Sequence, residues 1–299
     1  MTRYSTRDVS VPGGSLRVGV WEASHSGAND SSSVPTVLAI HGVTASHRSW
    51  SLLADALPDV RVVAPDLRGR GRSNQIVGPF GMAAHADDMA AALHHIGVDN
   101  VVVVGHSMGG FVALVTADRH PEAVRALVLI DGGIPLPAPD EADAGSQVAA
   151  TLNLAEQRLR MTFPDRDSYR AFWAQHPAFS ADWTEALEDY IDYDLQGVEP
   201  ELRPGTNFDA VVADSRDIAD GTTLLGSLGR LDRPADLLLA PQGMAPENPP
   251  LYPDYYVATW QERLPAMRAE RVKDVNHYTI VMSRRGSAAV ASAIRSAFT

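Results

Sequence analysis

The chain has 299 residues, of which 45% are hydrophobic and 21% are charged, a balance typical of a globular protein with one large or two modest domains. Its formal net charge of -12 disfavours a nucleic-acid backbone or an anionic membrane surface as a partner. The sequence contains no cysteine, which excludes disulfides, thiol nucleophiles and cysteine-ligated metals.

The first residues of the sequence, 1–10, are polar and mixed in charge. They lack the basic and apolar stretches of a secretory signal, and no later stretch resembles a membrane-spanning helix. Together with the lack of cysteine, this pattern predicts a cytoplasmic protein.

The predicted elements begin with a hairpin in which residues 8–11 and 16–21 flank a turn at 12–14. From residue 36 onward, short apolar runs alternate with amphipathic segments. The predicted strands are 36–40, 61–64, 101–104, 124–130, 236–240 and 268–272. The predicted helices are 50–56, 82–96, 108–119, 252–264 and 286–298. This alternation indicates an α/β fold with a mostly parallel central sheet and helices on both faces.

One long segment, residues 134–232, interrupts this alternation. It has helical periodicity, repeated prolines and no convincing strand, and it contains 19 acidic but only 7 basic side chains. We predict that it forms a helical cap over a core made of residues 1–133 and 233–299. Its aromatic side chains include two candidate substrate-binding residues, Trp173 and Trp183. Its surplus of acid fits either a solvated outer surface or a preference for neutral and cationic substrates.

A glycine-rich segment, Gly105-His106-Ser107-Met108-Gly109, lies where a predicted strand turns directly into a predicted helix. Such a reversal forces the central residue into a strained conformation, and glycines remove the clashes of flanking side chains. The pattern is that of the G-x-S-x-G nucleophile elbow, which presents the Ser107 hydroxyl above the sheet with the Met108 N–H beside it. The phosphate-binding patterns G-x-G-x-x-G and G-x-x-x-x-G-K-[ST] are absent from the sequence.

With this elbow, the sequence resembles the α/β-hydrolase superfamily along nearly its whole length. The other motifs that carry the resemblance are LAIHGVTAS at 38–46, VVAPDLRGRGRS at 62–73, LVLIDGG at 127–133 and VNHYTIV at 275–281. The resemblance implies the α/β-hydrolase fold, with the cap inserted after the strand that ends at Ile130. It also implies that Val43 donates the second oxyanion N–H and that His277 is the general base.

A serine–histidine pair of this kind needs a carboxylate that orients the imidazole. In most similar hydrolases this acid follows the strand predicted at 236–240, but the loop there reads PQGMAPENPP. Some similar hydrolases take the acid from the end of the strand after the nucleophile's helix, where Asp131 lies. We therefore assign Asp131, with Glu247 as the alternative acid, while Asp254 or no acid at all stays open. Asp131 also has a purely structural explanation, as a cap of the following turn.

Other polar residues near these motifs are expected to have structural roles. His41 is predicted to be a buried imidazole that holds its loop, and His106 to point into the core from the opposite side of the elbow. Asp66 and Arg68 are predicted to form an ion pair. Three helical histidines are predicted to face solvent: His85, His94 and His95. Their spacing suits no metal site, and H-E-x-x-H is absent.

These features predict a serine hydrolase in which Ser107 attacks a carbonyl and His277 accepts the proton and returns it to the leaving alcohol. The predicted substrates are small or medium apolar esters or lactones. Carbon–carbon bond hydrolysis, perhydrolysis and a receptor with slow turnover are the alternatives. In similar proteins, epoxide and halide chemistry uses an aspartate nucleophile, which this elbow lacks. We expect no metal, organic cofactor, nucleic acid or membrane partner, and the oligomeric state stays open.

Overall fold

The computed structural model describes residues 3–24, 34–137, 153 and 155–299. The strands in this part of the chain are β1 Tyr4–Val11, β2 Gly14–Trp21, β3 Thr36–Ile40, β4 Arg61–Pro65, β5 Val101–His106, β6 Val124–Ile130, β7 Leu195–Gln196, β8 Arg203–Pro204, β9 Ala235–Leu239 and β10 Met267–Arg271. Eight of them form one sheet in the order β1-β2-β4-β3-β5-β6-β9-β10. The pairs β1–β2 and β2–β4 are antiparallel, and the remaining neighbours run parallel.

The helices within the described residues connect these strands. Their bounds are Ser51–Ala56, Met82–Ile96, Met108–Arg119, Arg166–Ala174, Glu185–Asp194, Phe208–Asp220, Thr222–Gly229, Asp254–Arg263, Thr279–Met282 and Arg284–Phe298. The predicted α/β-hydrolase fold, with a mostly parallel sheet and helices on both faces, is confirmed. In the described ranges, no helix has both the length and the apolar character needed to cross a membrane.

The sheet separates two apolar clusters because successive side chains of a strand point to opposite faces. In β5, Val101 and Val103 belong to one cluster, which includes residues of the helices Met82–Ile96 and Met108–Arg119. Val102 belongs to the other, which includes residues of the helix Arg284–Phe298 and of the segment 134–232. The central strands are therefore buried on both faces, as their near-continuous apolar sequence predicts.

The chain between Ile130 and β9 is mainly helical in its described part. Two short strands, β7 and β8, also pair there, although the sequence predicts no strand in this segment. Strands of two residues are too short to produce an alternating pattern. The helix Thr222–Gly229 lies on the core, where Ser227 Oγ donates to Asp118 Oδ2 over 2.9 Å. The division of the chain at 134 and 232 stays a prediction.

The predicted ion pair between Asp66 and Arg68 is wrong. The guanidinium of Arg68 instead binds Asp88 of the helix Met82–Ile96, with 2.6 Å between Nη2 and Oδ1. Asp66 accepts hydrogen bonds from the backbone N–H of His47 over 2.8 Å and from Tyr193 Oη over 2.6 Å. The true partners come from other elements of the fold, so proximity in sequence gave the wrong pairing.

A buried ionic cluster joins the helix Phe208–Asp220 to the core. Its centre is Asp214, whose carboxylate accepts from Arg70 and from the Gly81 N–H and lies 3.0 Å from His85 Nε2. His85 is fully buried, so the prediction that it faces solvent is wrong. The helix Phe208–Asp220 covers the face of the helix Met82–Ile96 on which His85 lies. The other two helical histidines, His94 and His95, are exposed as predicted.

The pKa of Asp214 makes this cluster a pH-dependent source of stability. Burial raises the pKa of this carboxyl, but the combined effect of His85 and Arg70, which lower it, is larger, and the resulting pKa is about 2. The folded pKa thus lies below the unfolded value of about 4. The charged carboxylate therefore stabilises the fold above pH ~4 and loses its effect as the pH falls toward ~2.

We predict that Asp214→Asn lowers the free energy of unfolding by about 3 kcal/mol at neutral pH, because it leaves the buried Arg70 without a counter-ion. The difference in the free energy of unfolding between the variant and wild type should shrink by about 1 kcal/mol as the pH falls from ~5 to ~3. Urea denaturation across this pH range measures both values. Asp220→Asn, at an exposed position of the same helix, is the control and should change stability by less than about 0.5 kcal/mol. A gap that stays constant or widens toward acid would contradict the assignment.

Candidate active site

The site is built on the turn between β5 and the helix Met108–Arg119. Ser107 occupies this turn with φ 54° and ψ -122°, a backbone conformation that residues other than glycine rarely adopt. Two hydrogen bonds hold it: the Ser107 N–H donates to Ile130 O, and the Gly110 N–H donates to Ser107 O, each over 2.9 Å. The backbone therefore has the strained geometry that the sequence predicts for a nucleophile elbow.

Two glycines allow the strand and the helix to meet at this turn. A Cβ atom on Gly105 would overlap the carbonyl group of Gly109. A Cβ atom on Gly109 would in turn overlap the carbonyl oxygen of Ile40, at the end of β3. The close approach of three backbone segments thus requires glycine at both positions.

A histidine and an aspartate meet near Ser107. His277 lies between β10 and the helix Thr279–Met282, and its Nδ1 lies 2.7 Å from Asp131 Oδ2. Both side chains are buried. Since a carboxylate can only accept, His277 Nδ1 carries the hydrogen, which leaves Nε2 with a free lone pair. Among the described residues, neither Ser107 Oγ nor His277 Nε2 has a hydrogen-bond partner, so both atoms are available to a bound molecule.

The position of Asp131 follows from the strand pairing. It comes directly after β6, with φ 45°, and its N–H donates to Leu238 O of β9 over 2.8 Å. Its Oδ1 accepts from the Ala240 N–H over 3.2 Å. The neighbouring strand therefore fixes the carboxylate that faces His277.

The alternative acids lie elsewhere. Glu247 is exposed in the loop after β9. Asp254 is also exposed and pairs with Arg271 over 2.6 Å. The structure thus brings Asp131, and neither Glu247 nor Asp254, to His277.

The two backbone amides assigned to an oxyanion hole belong to Val43 and Met108. Neither N–H donates a hydrogen bond to another described residue. The loop that carries Val43 is held by Arg70, whose Nε donates to Val43 O over 2.8 Å. It is also held by His41, whose Nε2 accepts from the Leu67 N–H over 2.9 Å. His41 is buried as predicted, and burial lowers its pKa to about 4, so it accepts as a neutral imidazole.

His106 is buried as predicted, but it does not lie on the opposite side of the elbow. Its Nε2 donates to the backbone carbonyl of His277 over 2.8 Å, and the two rings lie 4.8 Å apart. Burial, followed by the proximity of His277, lowers the pKa of His106 well below its usual value. His106 thus supports the backbone of the residue assigned as the base.

Ser107 and His277 line a cavity of about 280 Å³. The other described residues around it are Gly42, Val43, Thr44, Ala45, His106, Ala155, Gln157, Arg158, Met161, Phe172, Trp173, His176, Phe179, Tyr190, Met244, Tyr278 and Met282. Trp173 therefore lies in the cavity wall. Trp183 does not belong to this set, and its indole N–H donates to Glu188 Oε1 over 2.8 Å. Within the described ranges, no group of three histidine or acidic side chains is arranged to hold a metal ion.

The polar residues of this wall that were not singled out from the sequence include Arg158, His176 and Tyr278. Arg158 and His176 lie within the segment 134–232, where their only signal is a polar residue in a helical pattern. Tyr278 follows His277 directly, so its place beside the base could have been inferred from the motif.

Comparison with known proteins gives consistent results. A family model described as alpha/beta hydrolase fold matches residues 35–196, which is more than half of the chain. Lipase LipV of Mycobacterium tuberculosis is 47% identical over 100 residues, or 33% of this chain and 38% of the lipase. The bifunctional esterase/perhydrolase DCH of Acinetobacter calcoaceticus is 38% identical over 105 residues, or 34% of this chain and 38% of that protein. These matches span well under two thirds of each relative.

One solved structure extends the likeness to the whole chain. The crystal structure of E-2-(acetamidomethylene)succinate hydrolase superposes with a TM-score of 0.78 and covers 99% of both chains. Its sequence identity is 21%, so this likeness concerns the fold.

The close packing at the elbow generates a prediction. Gly109→Ala should lower the free energy of unfolding by about 2 kcal/mol or more, because its Cβ would overlap the end of β3. Gly229→Ala is the control, since no atom lies within 4 Å of the added Cβ there. It should be neutral or slightly stabilising. Urea denaturation of both variants measures the difference, and equal stability of the two would refute the packing argument.

Proposed function

The chain belongs to the alpha/beta hydrolase fold family, and we propose that it is a serine hydrolase that cleaves carboxylic esters or lactones through an acyl-enzyme intermediate. The observation that carries this proposal is the hydrogen bond between Asp131 and His277 at the cavity that Ser107 also lines. The lipase and esterase named among the similar proteins support ester chemistry.

In the proposed reaction, His277 Nε2 accepts the proton of Ser107 Oγ as the oxygen attacks the carbonyl carbon. Asp131 holds the Nδ1–H tautomer and stabilises the imidazolium that forms. The N–H groups of Val43 and Met108 bind the developing oxyanion. His277 then protonates the leaving alcohol, and a water molecule releases the acyl group by the same sequence.

The cavity supports a small or medium substrate. Its volume of about 280 Å³ is at the lower end of ligand pockets. Its wall includes aromatic and aliphatic side chains such as Phe172, Phe179 and Met282, which favour an apolar portion of the substrate. We propose that the protein acts on a small-molecule ester or lactone and that it is located in the cytoplasm.

The same geometry could also serve a carbon–carbon bond hydrolase or a receptor that turns over slowly. Steady turnover of 4-nitrophenyl butyrate above about 1 s⁻¹, the low end of typical enzyme rates, supports the esterase. Tight ligand binding with negligible turnover would support the receptor.

We predict that Asp131→Asn lowers kcat by about 10⁴-fold, by analogy with the same substitution in a serine protease triad, whereas Glu247→Gln leaves kcat within about threefold of wild type. The amide at position 131 would stabilise the wrong imidazole tautomer, while residue 247 is exposed. Steady-state hydrolysis of 4-nitrophenyl butyrate measures both.

Ser107→Ala sets the background rate in this assay. The site assignment fails if Asp131→Asn keeps wild-type kcat, or if the large loss appears in Glu247→Gln instead.

A further inference from the structure

A buried arginine shares the proposed active-site cavity with Ser107. Arg158 lies in a helical part of the segment 134–232, and its side chain is only 6% exposed. It nevertheless lines the cavity. A guanidinium stays charged in proteins, so burial there needs compensating partners.

One edge of the guanidinium has such partners. Arg158 Nη1 donates to Tyr169 Oη over 2.6 Å and to Asp194 Oδ2 over 2.7 Å. Tyr169 Oη donates to the same carboxylate oxygen over 2.5 Å. The guanidinium carbon also lies 5.2 Å from the centre of the Trp173 ring. These contacts fix the orientation of the group within the wall.

The other edge of the guanidinium has no partner in the part of the protein that the structure describes. Arg158 Nε and Nη2 donate no hydrogen bond to any described residue, and neither atom is completely buried. Nε and Nη2 together form the planar pair of donors that binds a carboxylate with two parallel hydrogen bonds. Since Arg158 lines the cavity, these donors are available to a molecule bound there.

The charge of the cavity wall matches this geometry. Apart from the imidazoles, Arg158 is the only ionisable group among the described lining residues that is charged at neutral pH. Burial lowers the pKa values of His106 and His176, so these two rings add no positive charge. The counter-ion Asp194 does not line the cavity and already binds both Arg158 and Tyr169.

We propose that Arg158 binds a carboxylate of the substrate, so that the preferred substrates are esters or lactones that also carry a carboxylate group. This inference rests on the proposed function, because it places the anion in the same cavity as Ser107. It is also opposite to one interpretation of the acidic surplus in the segment 134–232, namely a preference for neutral and cationic substrates. The group that reaches the substrate is basic, although the segment as a whole is acidic.

Two pairs of matched esters test the proposal. Mono-4-nitrophenyl glutarate carries the carboxylate on the acyl side, and its methyl ester is the neutral control. 3-Acetoxybenzoate carries it on the alcohol side, with methyl 3-acetoxybenzoate as control. In at least one pair, we expect wild-type kcat/KM for the anionic ester to exceed that for the neutral one by about tenfold or more, mainly through KM.

The informative variant is Arg158→Met combined with Asp194→Asn, which removes both buried charges together and leaves neither unpaired. It should lower the anionic-to-neutral ratio of kcat/KM by about 10- to 100-fold while the neutral ester is still hydrolysed. Arg158→Lys keeps the charge but loses the planar pair of donors and should lower the ratio less. Arg160→Met is the matched control, because Arg160 is exposed and binds Glu156. It should leave the ratio unchanged.

A binding measurement separates this proposal from the proposed function. Calorimetry should detect glutarate binding to Ser107→Ala and a loss of at least tenfold in affinity when Arg158→Met and Asp194→Asn are added. If glutarate binds in this way but wild type hydrolyses no ester, the anion site stands and the esterase fails. If wild type hydrolyses esters but both ratios are the same in wild type and the double variant, the anion site is overturned.

Discussion

The site depends on one backbone constraint, the positive φ of Ser107 at the junction of β5 and the following helix. A non-glycine residue in such a conformation costs about 1–3 kcal/mol, so it persists only where its surroundings enforce it. Here the enforcement comes from the hydrogen bond to Ile130 O on one side and from backbone packed against Gly105 and Gly109 on the other. The hydroxyl is thereby presented to the cavity, next to the start of a helix whose first N–H, that of Met108, donates to no described residue.

The parallel sheet then brings the other assigned groups to the same edge. Strands β5, β6 and β9 run parallel to one another, so the residues that follow them lie at the same edge of the sheet. Asp131 follows β6, and its N–H and carboxylate are held by β9 and by the residue after it. This explains how the carboxylate that we assign as the acid can follow β6, although the loop after β9 is the more usual source in similar hydrolases. His277 needs only one carboxylate, and Asp131 already occupies its Nδ1.

The sequence predicted those features that depend on local pattern. The strands, the elbow and the placement of Ser107 follow from apolar runs and glycine spacing. The resemblance to a known superfamily provided the roles assigned to Val43 and His277. The sequence alone could not decide between the two candidates for the acid, because Asp131 and Glu247 both follow strands at the same edge of the sheet. Their difference in burial depends on tertiary packing.

Two wrong predictions and one omission have the same physical cause. Arg68 and His85, whose surroundings were predicted wrongly, and Arg158, which was not singled out, all have acidic partners from distant parts of the chain: Asp88, Asp214 and Asp194. A charge pattern read along one helix or loop cannot reveal such partners. The acidic balance of the segment 134–232 likewise does not describe the cavity wall, because none of the segment's described carboxylates lines the cavity, whereas Arg158 does.

Covalent labelling with a fluorophosphonate tests most directly whether Ser107 is an activated nucleophile, because this reagent reacts with a serine only when a base and an oxyanion hole activate it. We predict a single adduct per chain by intact mass, mapped to Ser107 by peptide sequencing, and no adduct on folded Ser107→Ala. A folded wild-type protein that remains unlabelled, or one labelled at another residue, would contradict it.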